Sequence, residues 1–278
     1  MRLLGDDKVV RIGRNRGLTL IGVAAFLAVL IVSAPAALVA PMIKETGPGV
    51  SIQLVEGTIW HARIRGLQAD GVYIGDVRAD IVLPRLFGAA ISYKVKVNGS
   101  AVNGRAVLSR SLFDHAEIRN ANIEIGRDLL SRYALLGVPV DGSMKISNAR
   151  ISANSNGCVD AKGTLETDAL SAVSKQFGAG ALDLNGHLQC IDGNLSAILQ
   201  GEQSDIGAVT VDLTQLAGSR YRMKVTIETR DEALKQSLIL AGFQNSGDAI
   251  FYEEIARWSG PPQDGPAVTG NLSAGGGV

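Results

Sequence analysis

The sequence predicts a mainly β protein: an N-terminal transmembrane helix, then a curved antiparallel meander sheet with a few short packing helices. Three features carry that expectation. An uncharged apolar run lies near the start, from Gly17 to Ala40. Segments alternating apolar and polar residues recur through the rest of the chain, the pattern of a strand with one buried and one wet face. Turn signals such as Asn98-Gly99, Asp141-Gly142, Asn156-Gly157 and Asp192-Gly193 separate these segments. Short turns join antiparallel neighbours, because parallel pairing needs long crossovers.

A chain of 278 residues suffices for one large domain or two small ones with a real core. Formal net charge is +0, so nothing favours nucleic acid or an acidic substrate as partner. With 33 glycines and 5% aromatics, tight turns are favoured over long helices.

Residues 1–16 carry Arg2, Lys8, Arg11, Arg14 and Arg16 against Asp6 and Asp7. The run that follows is almost wholly aliphatic from Leu18 to Val32. About 20 apolar residues at 1.5 Å rise span a bilayer core of roughly 30 Å, and a basic flank keeps its end in the cytoplasm. The alternative is a cleaved signal peptide with Ala34-Pro35-Ala36 as the small-x-small site. Pro35 inside that site, and the continuation of the apolar run to Ala40, favour an uncleaved anchor. The expected organisation is a basic cytoplasmic segment (1–16), a transmembrane helix (17–40), a linker (41–50), an exported β-rich domain (51–258) and a disordered Gly/Pro-rich tail (259–278).

In the exported part, Ile91-Ser-Tyr-Lys-Val-Lys-Val97 alternates at every step, Asn98-Gly99 ends it, and Ala101 to Leu108 returns, with Asn103-Gly104 as a bulge or turn. Tyr221, Met223, Val225 and Ile227 share one face of another strand. Val209, Val211 and Leu213 share a second, and Leu195, Ala197 and Leu199 a third. Helices are expected over Arg127–Leu136, Asp168–Phe177 (capped by Thr167 or Asp168) and Asp231–Phe243, covering sheet edges or ends.

Cys158 and Cys190 both lie beyond the apolar run. In an oxidising compartment an exclusive pair forms a disulfide. The loop it closes is worth on the order of 3–4 kcal/mol in the chain-entropy model. Reading them with His187 as metal ligands leaves the set one ligand short. No G-x-S-x-G elbow, P-loop or dinucleotide fingerprint occurs, and adjacent Glu253 and Glu254 diverge rather than share a substrate. Asp76, Arg78 and Asp80 read as salt-paired surface residues on one strand face. No catalytic, cofactor-binding or metal-binding residue is therefore assigned, and no cofactor or small-molecule substrate is expected. Gly57, Thr58 and Trp60 are the structural or interaction candidates. Gly57 permits a bulge, and Trp60 brings a large aromatic to an early β element as a packing anchor, or else as a contact for a membrane partner.

The basic start, the single apolar helix running into Ser33-Ala-Pro-Ala36, and Val55-Glu-Gly-Thr-Ile-Trp60 together resemble protein N of the bacterial type II (general) secretion pathway. Gly157-Cys-Val-Asp-Ala-Lys-Gly163 and Leu184-Asn-Gly-His-Leu-Gln-Cys-Ile-Asp-Gly-Asn-Leu195 are similar to that family's middle region. Leu238-Ile-Leu-Ala-Gly-Phe243 is similar to its last block. The family commonly follows its G-T-x-W element with a small residue and glycine, whereas His61-Ala-Arg63 follow here. The resemblance implies a non-catalytic inner-membrane accessory or structural component, single-pass with its bulk in the periplasm. Its partners would be other inner-membrane secretion components, and the machine's cargo folded periplasmic proteins. The alternative from the residues alone is a membrane-anchored lipid-handling β-groove protein, because periodicity does not say whether the apolar face is closed. A membrane-anchored enzyme ranks third, since no site emerges.

Overall fold

The computed structural model describes residues 21–27, 29–30, 32–39, 50–69, 71–82, 90–111, 114–131, 134–135, 138–178, 180–216, 220–247 and 249–257. Strands β1 (Val50–Ser51) and β2 (Leu54–Thr58) are followed by β3 (His61–Ala69), β4 (Val72–Ile81), β5 (Ala90–Asn98), β6 (Val102–Ser111) and β7 (Ala116–Ile125). A short helix α1 (Arg127–Leu130) and the small hairpin β8 (Ala134–Leu135) and β9 (Val138–Pro139) lead to β10 (Met144–Asn154) and β11 (Gly157–Thr167). Helix α2 (Ser171–Gln176) precedes β12 (Leu184–Ile191), β13 (Asn194–Gln203), β14 (Gly207–Leu216) and β15 (Arg220–Glu228). Helix α3 (Glu232–Leu240) then leads to β16 (Gln244–Ser246) and β17 (Ala249–Arg257).

Among the described residues, 15 strands form one sheet in the order β1-β3-β4-β5-β6-β7-β10-β11-β12-β13-β14-β15-β17-β16, with β2 also on β3. Strand neighbours in sequence are mostly neighbours in space, as short turns dictate. The β12–β13 turn, for example, is Asp192-Gly193 at φ 50° and 75°, the left-handed pair that a two-residue hairpin requires.

Directly paired residues project to the same face, so the register defines rows across the sheet. One row runs through Val55, Ile64, Val77 and Val97 to Ile123, Ile146 and Leu165, with Gly104 standing in on β6. It continues through Gly186, Leu199, Val211 and Val225 to Tyr252. No charged side chain interrupts it across thirteen strands.

The two halves of that apolar face differ. Over the C-terminal half, Val173 of α2 and Leu234 and Leu238 of α3 join Val209, Val225 and Ile227 in a buried cluster. The space left between the helices and the sheet is about 50 Å³. The Asp231 carboxylate starts α3 by accepting from the Ala233 and Leu234 N–H groups at 2.8 and 3.2 Å. In the N-terminal half Val77 is buried, whereas Val55, Ile64, Val97, Ile123 and Ile146 of the same row are only half-buried.

Several local expectations are corrected. The helices α2 and α3 cover the sheet's apolar face at the strand ends around Ile206, Val209 and Ile227 and not an edge, because their buried side chains need an apolar partner surface. Helix α1 ends at Leu130, and Ala134–Leu135 is already extended; Tyr133 and Leu136 lie outside the described residues. Thr167 and Asp168 do not cap α2, whose N-cap is Leu170 without a side-chain bond. Instead the Asp168 carboxylate accepts from the Ser143 N–H at 2.6 Å, and the Thr167 hydroxyl donates to the Ser143 carbonyl at 2.6 Å, fastening the entry to β10. Asn103-Gly104 lies within β6, and the bulge falls between Arg105 and Val107.

Near the start, residues 21–27, 29–30 and 32–33 are α-helical with exposed apolar side chains, Phe26, Val29 and Val32 among them. Among the described residues no helix is long and apolar enough to cross a membrane. The anchor expected over 17–40 includes positions 17–20, 28, 31 and 40, which lie outside the described residues. So do the basic segment, most of the linker, Trp258 and the tail.

Candidate functional site

The first hairpin places all three interaction candidates together. Gly57 and Thr58 end β2, Ile59 and Trp60 form the turn, and Thr58 pairs with His61 at the start of β3. Gly57 adopts φ 88°, and a Cβ there would lie 2.2 Å from the His61 carbonyl oxygen. The turn therefore excludes any side chain at this position. Ile59 and Trp60 do not continue the strand as their propensities suggest, because this glycine closes the hairpin before them.

The hairpin also holds the end of the N-terminal helix. The Ile59 N–H donates to the Ala34 carbonyl at 3.0 Å, and Pro35 forms an antiparallel bridge with Thr58. Ala36 is buried at 2% exposure in the 3-10 turn Ala36–Val39. The sequence gives no signal for this contact: Ala34 and Pro35 form neither an alternating pattern nor a hairpin partner.

Trp60 is half-buried, and its carbonyl accepts from the Ile81 N–H at 2.9 Å, tying the turn to β4. A half-buried indole is worth less than a core one. We expect Trp60→Ala to cost about 1–2 kcal/mol, against roughly 3–5 kcal/mol for a fully buried tryptophan. Thermal melting of the purified chain checks this, and a loss in the higher range would place the ring in the core.

Cys158 and Cys190 are joined by a disulfide between β11 and β12, and their Cα atoms are 5.6 Å apart. Both sulfurs are consumed, which removes them from the metal reading with His187. The strands pair only from Thr164 to Thr167 against His187 to Leu184. Beyond that, Gly157–Gly163 has no register partner on β12. The disulfide and the bond from the Cys158 N–H to the Gly193 carbonyl at 2.7 Å rejoin the strands at the far end.

Several other polar groups have partners within the fold, but Arg78, expected to be salt-paired with Asp76 and Asp80, is in no salt bridge among the described residues. His61 Nδ1 lies 2.9 Å from the Asp80 carboxylate on the exposed face. Glu253 pairs in register with Lys224, whereas Glu254 on the other face accepts from the Tyr252 hydroxyl at 3.2 Å. The two acids thus diverge. Burial, with the Glu254 carboxylate second, holds the Tyr252 hydroxyl above its ordinary range. The 50 Å³ apolar cavity is far below the roughly 300–1,000 Å³ of small-molecule sites. A wider polar cleft of about 1320 Å³ lies at the β13–β14 and β15–α3 turns. Two of its carboxylates have structural partners: Asp231 caps α3 and Asp205 accepts from Gln203.

No curated protein and no solved structure matches the chain. The family described as Type II secretion system (T2SS), protein N matches residues 48–251, from the residue pair before β1 into β17. That span takes in the Gly57–Trp60 hairpin, the disulfide and the helix-covered core, and the chain belongs to the T2SS protein N family.

Proposed function

We propose that the chain is a single-pass, non-catalytic accessory component of the type II secretion machine in the inner membrane. Its N-terminus lies in the cytoplasm and its sheet in the periplasm. It contacts other inner-membrane secretion components and supports export of folded periplasmic proteins. The observation that carries this reading is the hairpin clamp at Ala34–Pro35 and Thr58–Ile59, which fixes the family's domain to the end of an exposed apolar helix. Exposed side chains such as Phe26 and Val29 are stable in lipid and costly in water. With the helix in the bilayer, the hairpin rests at the membrane surface, and the sheet extends from there within reach of neighbouring inner-membrane proteins.

Topology is tested by fusing alkaline phosphatase after Arg257. We expect an active fusion in bacterial cells and a retained N-terminus in the mature protein. A mature N-terminus at Ala37 would make the apolar run a cleaved leader.

One observation favours a second reading, a lipid-handling groove: on β2–β10 every apolar side chain of the row but Val77 is only half-buried. Phospholipid copurifying with the wild-type chain, and lost when Val97 and Ile123 are replaced by Asn, would support it.

A further inference from the structure

The face opposite the apolar rows carries an unusual register in its N-terminal half. Arg63 on β3 lies directly opposite Arg78 on β4, Arg78 opposite Lys96 on β5, and Lys96 opposite Arg105 on β6. Four cations on four successive strands, about 4.8 Å apart, make a band of roughly 14 Å. All four are exposed, and among the described residues none is in a salt bridge. Like charges directly opposite one another weaken strand pairing, so the fold does not gain from this row.

Three of the acids beside it are held by other partners, and Glu124 stands opposite Lys145. Glu56, opposite Arg63 at the sheet's edge, pairs with Arg65 at 3.1 Å. Asp80 is taken by His61, and Asp76 accepts from the Gly66 N–H and the Tyr73 hydroxyl, each at 3.2 Å. Two shallow clefts follow the band. One of about 170 Å³ is lined by Arg63, Arg65, Arg78 and Asn98 with Asp76; the other, of about 460 Å³, by Lys96, Asn98, Arg105 and Lys145 with Glu124, so cations outnumber acids in both.

We propose that this band docks the sheet's polar face onto the phosphate headgroups of an anionic membrane, a role that rests on the membrane-anchor reading above. Charge complementarity calls for an anionic occupant, and position selects the membrane. Arg63 is two residues from His61, whose strand partner Thr58 bridges Pro35 at the end of the apolar helix. With that helix in lipid, the band begins at the headgroup layer and runs along the sheet from there. An acidic segment of a neighbouring protein would match the charge, but headgroups lie beside the end of a membrane helix whether or not a partner is bound. The band would make a tethered domain lie against the bilayer, so its orientation toward partners depends on lipid charge and salt.

The test uses the full chain in nanodiscs, with a fluorophore on Asn98→Cys and a headgroup-spin-labelled quencher lipid. Phosphatidylglycerol discs should quench the probe, phosphatidylcholine discs should not, and high salt should release it. Each cation near an anionic surface is worth about a fivefold change, so Arg78→Gln/Lys96→Gln should lower the docked-to-free ratio roughly 25-fold. The double variant should melt no lower than the parent, since it relieves like-charge repulsion. Failure of the chain to co-elute with nanodiscs would overturn both the anchor and the docking. Co-elution with equal quenching in both lipids, or with none, would overturn the docking alone. Salt-sensitive binding of polyglutamate without lipid quenching would assign the band to an acidic protein and likewise overturn it.

Discussion

Leu199→Ala is expected to be among the most destabilising single substitutions in the chain, lowering stability by about 3–5 kcal/mol. Leu199 is 1% exposed at the centre of the apolar row, between Gly186 on β12 and Val211 on β14. The cavity left behind cannot collapse from the Gly186 side. That glycine carries no side chain, and a Cβ on it would already lie 1.9 Å from the Ile198 carbonyl oxygen. At about 2–4 °C per kcal/mol for a domain of this size, the melting temperature should fall by roughly 10 °C. Val97→Ala, on the half-buried stretch of the same row, should cost about 1 kcal/mol or less. Equal losses at the two positions would show that the N-terminal half is as closed as the C-terminal half.

Removing the disulfide with Cys158→Ser/Cys190→Ser should produce a change of similar size. The bond spans 32 residues, which corresponds to about 3–4 kcal/mol of denatured-state entropy, or again roughly 10 °C. The native ladder adds to the expectation. Four register pairs alone join β11 to β12, so the sheet's two halves meet at a short seam with the disulfide at its open end. Hydrogen exchange should accelerate first at Val159–Gly163 and around Cys190–Gly193, while the α2–α3 core keeps its protection. An unchanged melting curve, or loss of protection spread evenly through the sheet, would refute a seam held by this bond.

Much of this architecture is legible in the sequence because strand alternation is a local signal. Tyr221, Met223, Val225 and Ile227 share a face as the pattern requires, and Asp192-Gly193 turns the chain where the dipeptide says it should. The disulfide is also readable, since two cysteines without a competitor leave one pairing. What local signals do not carry is register and long-range contact. Leu129 and Leu130 begin a helical spacing, but the chain returns to strand by Ala134, where tertiary pairing overrides propensity. Arg63, Arg78, Lys96 and Arg105 are spread over 43 positions of ordinary surface charge, and only the strand pairing stacks them. The clamp between Ala34–Pro35 and the Thr58–Ile59 turn is similarly invisible, because one isolated bridge leaves no periodic trace. Strand propensity puts Trp60 in an early β element, whereas the positive φ at Gly57 sets it on the turn between β2 and β3.

We propose above that this chain works in the inner membrane as part of the type II secretion machine. The most direct measurement is mild-detergent purification of the full-length chain from native membranes after cross-linking, followed by mass spectrometry of what accompanies it. The chain should partition with the inner membrane and carry other inner-membrane secretion-system proteins into the cross-linked fraction. A chain recovered in the soluble fraction, or in the membrane with none of those proteins cross-linked to it, would rule out that placement.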